Sequence, residues 1–273
     1  MDKDFQKHDQ EPLDMDHAEA EEVLEDLAFY RTLAANVCMI GKPTEDWILV
    51  DTSVAHYSNR IIAACEKRFG DKAPKAIILT HGHFDHVGSA YELAKYWDVP
   101  IYIHQAELDY VTGKKNYPPA DPTVGGGVFS LLSPLFPTKA ANLKNLVQTL
   151  PPDGNLPFLD DWIYIHTPGH SEGHIALFRE KDKTLISGDA ITTEKPESTM
   201  AAFFPLKKVH GPPAYFTQDW NNAEKSVLKI AALQPKLLLS GHGLPMEGDI
   251  LTEQLDELAN NFIELAIPKN QRH

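Results

Sequence analysis

The stretch THGHFDHVGSA, residues 80–90, carries three histidines and one aspartate within six positions. Imidazole and carboxylate are side chains that bind zinc, iron and manganese. A solvated polar turn accounts for one or two such residues, not for this spacing. Alternation along an extended loop puts His81 and His83 on one side. Asp85 and His86 then fall at the start of a following helix and face a neighbouring position. That arrangement predicts two metal positions rather than one.

The run leading into this loop, KAIILT, reads as a buried strand. Three other apolar runs end the same way: WIYIHTPG leads to His170, TLISG to Asp189 and KLLLSG to His242. A site is commonly assembled from loops at one end of a rigid sheet. Pro-Gly precedes His170, and Ser-Gly precedes both Asp189 and His242, so the backbone can turn sharply just before each of these side chains. Five histidines and two aspartates suffice for two cations with room left for water.

The order HxHxDH, then His, Asp and His, resembles that of the metallo-β-lactamase fold hydrolases, from about Asn36 to Met246. The resemblance implies an α/β fold, an αββα sandwich of two mixed sheets with outer helices. It implies that His81, His83 and His170 bind a first metal, that Asp85, His86 and His242 bind a second, and that Asp189 bridges them. TPGHSEGH and SGDA match the third and fourth motifs of that family. Asp51, in LVDTS, matches the aspartate of its first motif, which supports the metal loop without coordinating. The implied cofactor is a pair of divalent ions, zinc in the first place, with iron or manganese as alternatives. The implied activity is that of a dinuclear hydrolase, in which a metal-bridged hydroxide attacks a lactone, ester or thioester carbonyl and Asp85 helps protonate the leaving group. The bridging aspartate is absent from the β-lactamases of this fold, where a cysteine can take part in the second site. The pattern is therefore nearer to lactonases and glyoxalase-II-like thioesterases. An iron-dependent, dioxygenase-like oxidoreductase is the alternative on the same fold, and a metal-bound interaction module without turnover is a third.

The rest of the chain narrows the setting. Its 273 residues carry a net charge of -14, which disfavours nucleic acid as a partner. Cys38 and Cys65 have no CxxC spacing and read as ordinary thiols. The acidic start lacks a signal-peptide pattern, and no run of about 20 apolar residues occurs, so the expectation is a cytoplasmic protein with a small-molecule substrate and no membrane contact. Oligomeric state stays open, a homodimer being one form. Residues 1–15 read as a mobile acidic tail that includes His8, with His17 close by, and residues 16–273 as one catalytic domain. The Pro- and Gly-rich segment 114–152 reads as an inserted loop with helical pieces. An amphipathic helix, ILTEQLDELANNFIELA, closes the chain.

Other polar residues carry smaller expectations. His104 and His166 read as structural. His174, four residues after His170, is placed to hydrogen-bond behind the ligands. His210 and Tyr215, on the Pro-rich connection before the helix over 219–233, are candidates for a substrate-pocket wall. Tyr110, Lys195, Lys207 and Lys208 read as solvated, and Trp162 and Trp220 as core.

Overall fold

The computed structural model describes residues 19–32, 34–124, 132–138, 142–195 and 208–272. The expected tail, with His8 and His17, lies outside the described residues, as does Lys207.

The first sheet runs in chain order: β1 (Glu21–Leu24), β2 (Leu27–Tyr30), β3 (Val37–Ile40), β4 (Ile48–Val50), β5 (Ile77–Ile78), β6 (Ile101–Ile103) and β7 (Val147–Thr149). Pairing is antiparallel from β1 to β4 and parallel from β4 to β7. The second sheet comprises β8 (Asn155–Leu156), β9 (Leu159–His166), β10 (Ile175–Arg179), β11 (Thr184–Ile186), β12 (Leu237–Leu239) and β13 (Met246–Glu247), again in chain order across the sheet. Only β11 and β12 pair in parallel there.

Strand periodicity explains the layering. Successive side chains of a strand point to opposite faces, and the central strands are apolar on both. In β3, Cys38 and Ile40 join a cluster with Ile175 and Leu177 of β10 and Leu237 and Leu239 of β12, between the sheets. Val37 and Met39 point the other way, onto Ile61, Ala64 and Cys65 of α1 (Ser58–Phe69). Two short helices follow β5: α2 (Phe84–Val87), on the loop after it, and α3 (Ala90–Trp97), which packs against the first sheet through Leu93 and Ala94. A short α4 (Leu108–Val111) follows β6. On the far side, Ala176 and Phe178 of β10 meet Val227 and Ile230 of α5 (Trp220–Ala232) and Leu251, Leu255 and Leu258 of α6 (Asp249–Asn260). This is the αββα sandwich. Among the described residues, no helix is long and apolar enough to cross a membrane.

Four local expectations need correction. The hairpin β1–β2 was not foreseen, because β1 is an edge strand whose sequence, EEVL, shows half-exposed polar positions. The 114–152 segment is not loop throughout: it ends in β7, which pairs with β6. The closing helix breaks at Asn261, whose backbone leaves the helical region at φ -128 and ψ 34, before a last turn, α7 (Phe262–Leu265). Tyr110 is buried rather than solvated, stacked on Tyr117 with ring centroids 4.1 Å apart.

Candidate metal centre

The parallel strands β4, β5, β11 and β12 deliver their C-terminal ends to one edge of the sandwich. Asp51 follows β4 directly, and the loop holding His81 and His83 follows β5. Ser-Gly links β11 to Asp189 and β12 to His242, while Thr-Pro-Gly links β9 to His170. Asp85 and His86 stand on α2. All eight residues are buried.

The rings converge in a way hydrogen bonding does not explain. His83 Nδ1 lies 3.0 Å from His81 Nε2 and 2.9 Å from His170 Nε2. A neutral imidazole has one N–H and one lone pair, so three nitrogens meeting at one point cannot all be satisfied by each other. A few ångströms away, Asp189 Oδ1 stands 3.4 Å from His86 Nε2. Asp189 Oδ2 stands 3.4 Å from His170 Nε2 and 3.3 Å from His242 Nε2. His242 Nε2 also stands 3.5 Å from Asp85 Oδ2. Buried polar atoms are normally hydrogen-bonded, yet His86 Nε2 and Asp189 Oδ1 are buried with no well-formed hydrogen bond. Among the described residues, three groups have ligand atoms within 4.8 Å of one another: His81, His83 and His170; His81, His86 and Asp189; Asp85, His86 and His242. Such a set of nitrogen and oxygen donors, short of protons and facing inward, fits divalent cations.

The outward nitrogens of His81, His86 and His242 are anchored, which aims the inward ones. His86 Nδ1 meets Asp51 Oδ2 at 2.8 Å, His242 Nδ1 donates to the Ala34 carbonyl at 3.1 Å, and His81 Nδ1 meets Thr80 Oγ1 at 3.1 Å. Asp51 also accepts from Thr80 N and Thr80 Oγ1, both at 2.8 Å. Its backbone is left-handed, φ 60, a conformation aspartate tolerates better than most residues. Gly241 is required by space: a Cβ there would overlap Asp189 Oδ1 and come within 2.9 Å of the His86 ring.

Charge is divided unevenly across the cluster. Burial, with neighbouring rings, holds His81 and His170 well below the usual imidazole range, and burial brings His83 down to about 3. These three rings are neutral donors. Burial opposes charge on His86 and His242 too, but Asp189 with Asp51 outweighs it for His86, and Asp189 with Asp85 for His242, so both are raised. Burial raises Asp85, whereas His242 and His86 overcome burial at Asp189 and hold it well below the carboxylate range.

The remaining candidates separate. His174 Nε2 accepts from Asp189 N at 2.9 Å and its Nδ1 meets Thr167 Oγ1 at 2.8 Å, so both nitrogens are used and neither is free for a cation. His104 and His166 stack on each other with centroids 4.2 Å apart, and neither belongs to a cation-holding group. Tyr215 and Phe216 join Ala120, Phe84, Val124 and Phe136 in an apolar cluster beside the centre, with the Phe216 ring 4.8 Å from that of His83. His210 lines a cavity of about 520 Å³ together with Lys195, Lys269 and Arg272, which shares Val124 with that apolar cluster. Lys195 and Lys208 are exposed. Trp162 is core, and Trp220 is partly buried against Phe262. The sequence reading missed Asn36, whose side-chain amide donates to the carbonyls of Ser240 at 2.9 Å and Gly243 at 2.7 Å on either side of His242. No local pattern marks it, since its partners lie more than 200 positions away. Phe84, Phe136 and Phe216 were missed because they meet only across the fold.

Comparison with known proteins agrees with this geometry. The family model of the metallo-beta-lactamase superfamily matches residues 30–242. The "Probable metallo-hydrolase YflN" of Bacillus subtilis (strain 168) is 47% identical over 231 residues, 84% of this chain and 88% of that protein. The human "Acyl-coenzyme A thioesterase MBLAC2" is 26% identical over 168 residues, 58% of each chain. Among solved structures, the B3 metallo-beta-lactamase BLEG-1 superposes with a TM-score of 0.58 at 22% identity, over 80% of this chain and 90% of that one. The chain belongs to the metallo-beta-lactamase superfamily and is a metal-dependent hydrolase.

Proposed function

We propose that this protein is a dinuclear hydrolase of lactones, esters or thioesters, with residues 16–273 acting as one catalytic domain. His81, His83 and His170 hold one cation and Asp85, His86 and His242 the other, with Asp189 between them. The observation that carries this reading is the position of the Asp189 carboxylate, 3.4 Å from His170 of one group and 3.3 Å from His242 of the other. The donors suit zinc, and also iron or manganese. A divalent ion bound there supplies Lewis acidity, lowering the pKa of a water toward about 7 and polarising a carbonyl oxygen.

The chain's own residues supply the rest. Asp85 is buried beside His242, where its carboxylate can hold a water that passes a proton to a leaving group. Phe84, Phe136, Tyr215 and Phe216 form a wall against His83 that excludes water and receives the apolar part of a substrate. The similarity to a human protein named as an acyl-coenzyme A thioesterase supports a thioester among the substrates. Both cysteines are buried in the core, Cys38 between the sheets and Cys65 on α1, away from the ligand loops, so neither takes a place in the second site.

The test is metal analysis of protein purified without chelator, followed by a panel of lactones, esters, thioesters and β-lactams. Two equivalents of metal with cleavage of an oxygen or sulfur ester is the expected result. Cleavage of β-lactams alone would overturn the substrate assignment. Oxygen uptake by an iron-loaded sample, without ester cleavage, would favour the oxidoreductase.

A further inference from the structure

Glu107 is fully buried, at 0% exposure, yet belongs to none of the cation-holding groups. It stands at the start of α4 but makes no capping hydrogen bond to that helix. Its carboxylate is spent elsewhere. Oε1 accepts from Ser171 Oγ at 2.8 Å and from Gly173 N at 2.7 Å. Oε2 accepts from Gly82 N at 3.0 Å and from the Tyr117 hydroxyl. Four donors thus converge on one acceptor-only group, from partners 10 to 66 positions away.

The identity of those partners is the point. Gly82 lies between His81 and His83. Ser171 follows His170, and Gly173 lies three residues on. The Tyr117 ring packs on that of His83 with centroids 4.4 Å apart. The two glycines give the carboxylate its access. A Cβ on Gly82 would overlap the Tyr117 hydroxyl, and one on Gly173 would stand 2.7 Å from Glu107 Cγ. The second group is held by other means. The His86 carbonyl accepts from Thr52 N at 2.8 Å, its ring meets Asp51, and His242 rests on Ala34.

We infer that Glu107 is the positioning residue of the three-histidine half: its carboxylate clamps the His81–His83 loop to the His170 loop and so sets the affinity of that cation position alone. The inference rests on the two-cation reading above, not on the identity of the substrate. Charge-assisted hydrogen bonds to backbone N–H are among the stronger ones, and residues that orient ligands typically change metal affinity about 10–100-fold.

The experiment is zinc binding to metal-stripped protein by chelator competition, which resolves two stepwise affinities, alongside a thermal melt of the same apo sample. Glu107→Gln keeps the size of the side chain but turns an N–H₂ toward two of the four donors. It is expected to weaken one binding step about 10–100-fold and to leave the other within about threefold. Ser171→Ala and Tyr117→Phe each remove one donor and are expected to weaken the same step about 3- to 10-fold, the worth of one hydrogen bond. They decide the matter by the same split if Glu107→Gln does not fold. His170→Ala identifies which step belongs to the three-histidine half. A lower melting temperature with both affinities unchanged, or equal loss at both steps, overturns the inference while leaving the two-cation reading intact. Wild-type protein that takes up no cation overturns both.

Discussion

The two halves of the centre are built from different materials. The three-histidine half is neutral: burial keeps protons off His81, His83 and His170, and a hydroxyl or a buried clamp holds each loop. The other half is charged, adding Asp85 to the Asp189 carboxylate that lies between the two, with Asp51 behind His86. A site built of neutral nitrogen donors owes its affinity to ring orientation, whereas carboxylates add direct charge attraction. The halves should therefore differ in metal affinity and in their sensitivity to supporting residues.

Asp189 is where the comparison breaks most completely, because its carboxylate lies within 3.4 Å of both His170 and His242. Asp189→Ala should lower metal content below one equivalent and reduce kcat/KM by more than about 100-fold, beyond the about 10–100-fold typical of residues behind the ligands. Elemental analysis with steady-state kinetics checks it, and two retained equivalents would contradict the shared role. The next effect is selective. His170→Ala should empty the neutral half and Asp85→Ala the charged half, each leaving about one equivalent and strongly reduced turnover. Identical losses from the two variants would mean that the halves are one site.

Supporting residues should give smaller effects. Asp51→Asn weakens acceptance from Thr80 and removes the carboxylate partner of His86, and is expected to cost about 10–100-fold in affinity, mainly in the charged half. His174→Ala removes the acceptor for Asp189 N but no ligand, so both cations should remain after dialysis while turnover falls about tenfold. If His174→Ala empties the three-histidine half while His170→Ala stays loaded, the assignments on that loop are wrong. The smallest expected effect lies outside the centre. Burial, with His166 beside it, lowers His104 to about 4. The unfolded chain then binds that proton more tightly than the folded one, so the contribution of His104 to stability is present above about pH 6.5 and lost as pH falls toward 4. In chelator-treated protein, His104→Gln should lessen the drop in Tm between pH 7 and pH 4.5 by about 2 °C, measured by calorimetry.

Much of the architecture was legible because it is local. KAIILT, TLISGD and KLLLSGHG are apolar runs that stop at turn residues just before a His or Asp, and the structure turns all three out at the same edge. The hairpin β1–β2 and strand β7 were not legible. β1 and β7 are edge strands with exposed polar positions and no alternation, and β2 is a four-residue apolar run, so pairing with their neighbours is what makes them strands.

What the sequence determined by itself was the placement of seven candidate histidines and aspartates in loops after strands or at the start of a helix, with the fold class that such a pattern implies. Tertiary structure alone decided which of these atoms meet. Asp189 falls between His170 and His242, Asn36 brackets the His242 loop, and Glu107 ties two loops that are far apart in the chain. The physical reason is that periodicity and turn chemistry act over a few residues, whereas strand pairing and sheet packing bring together groups separated by 64 to 204 positions.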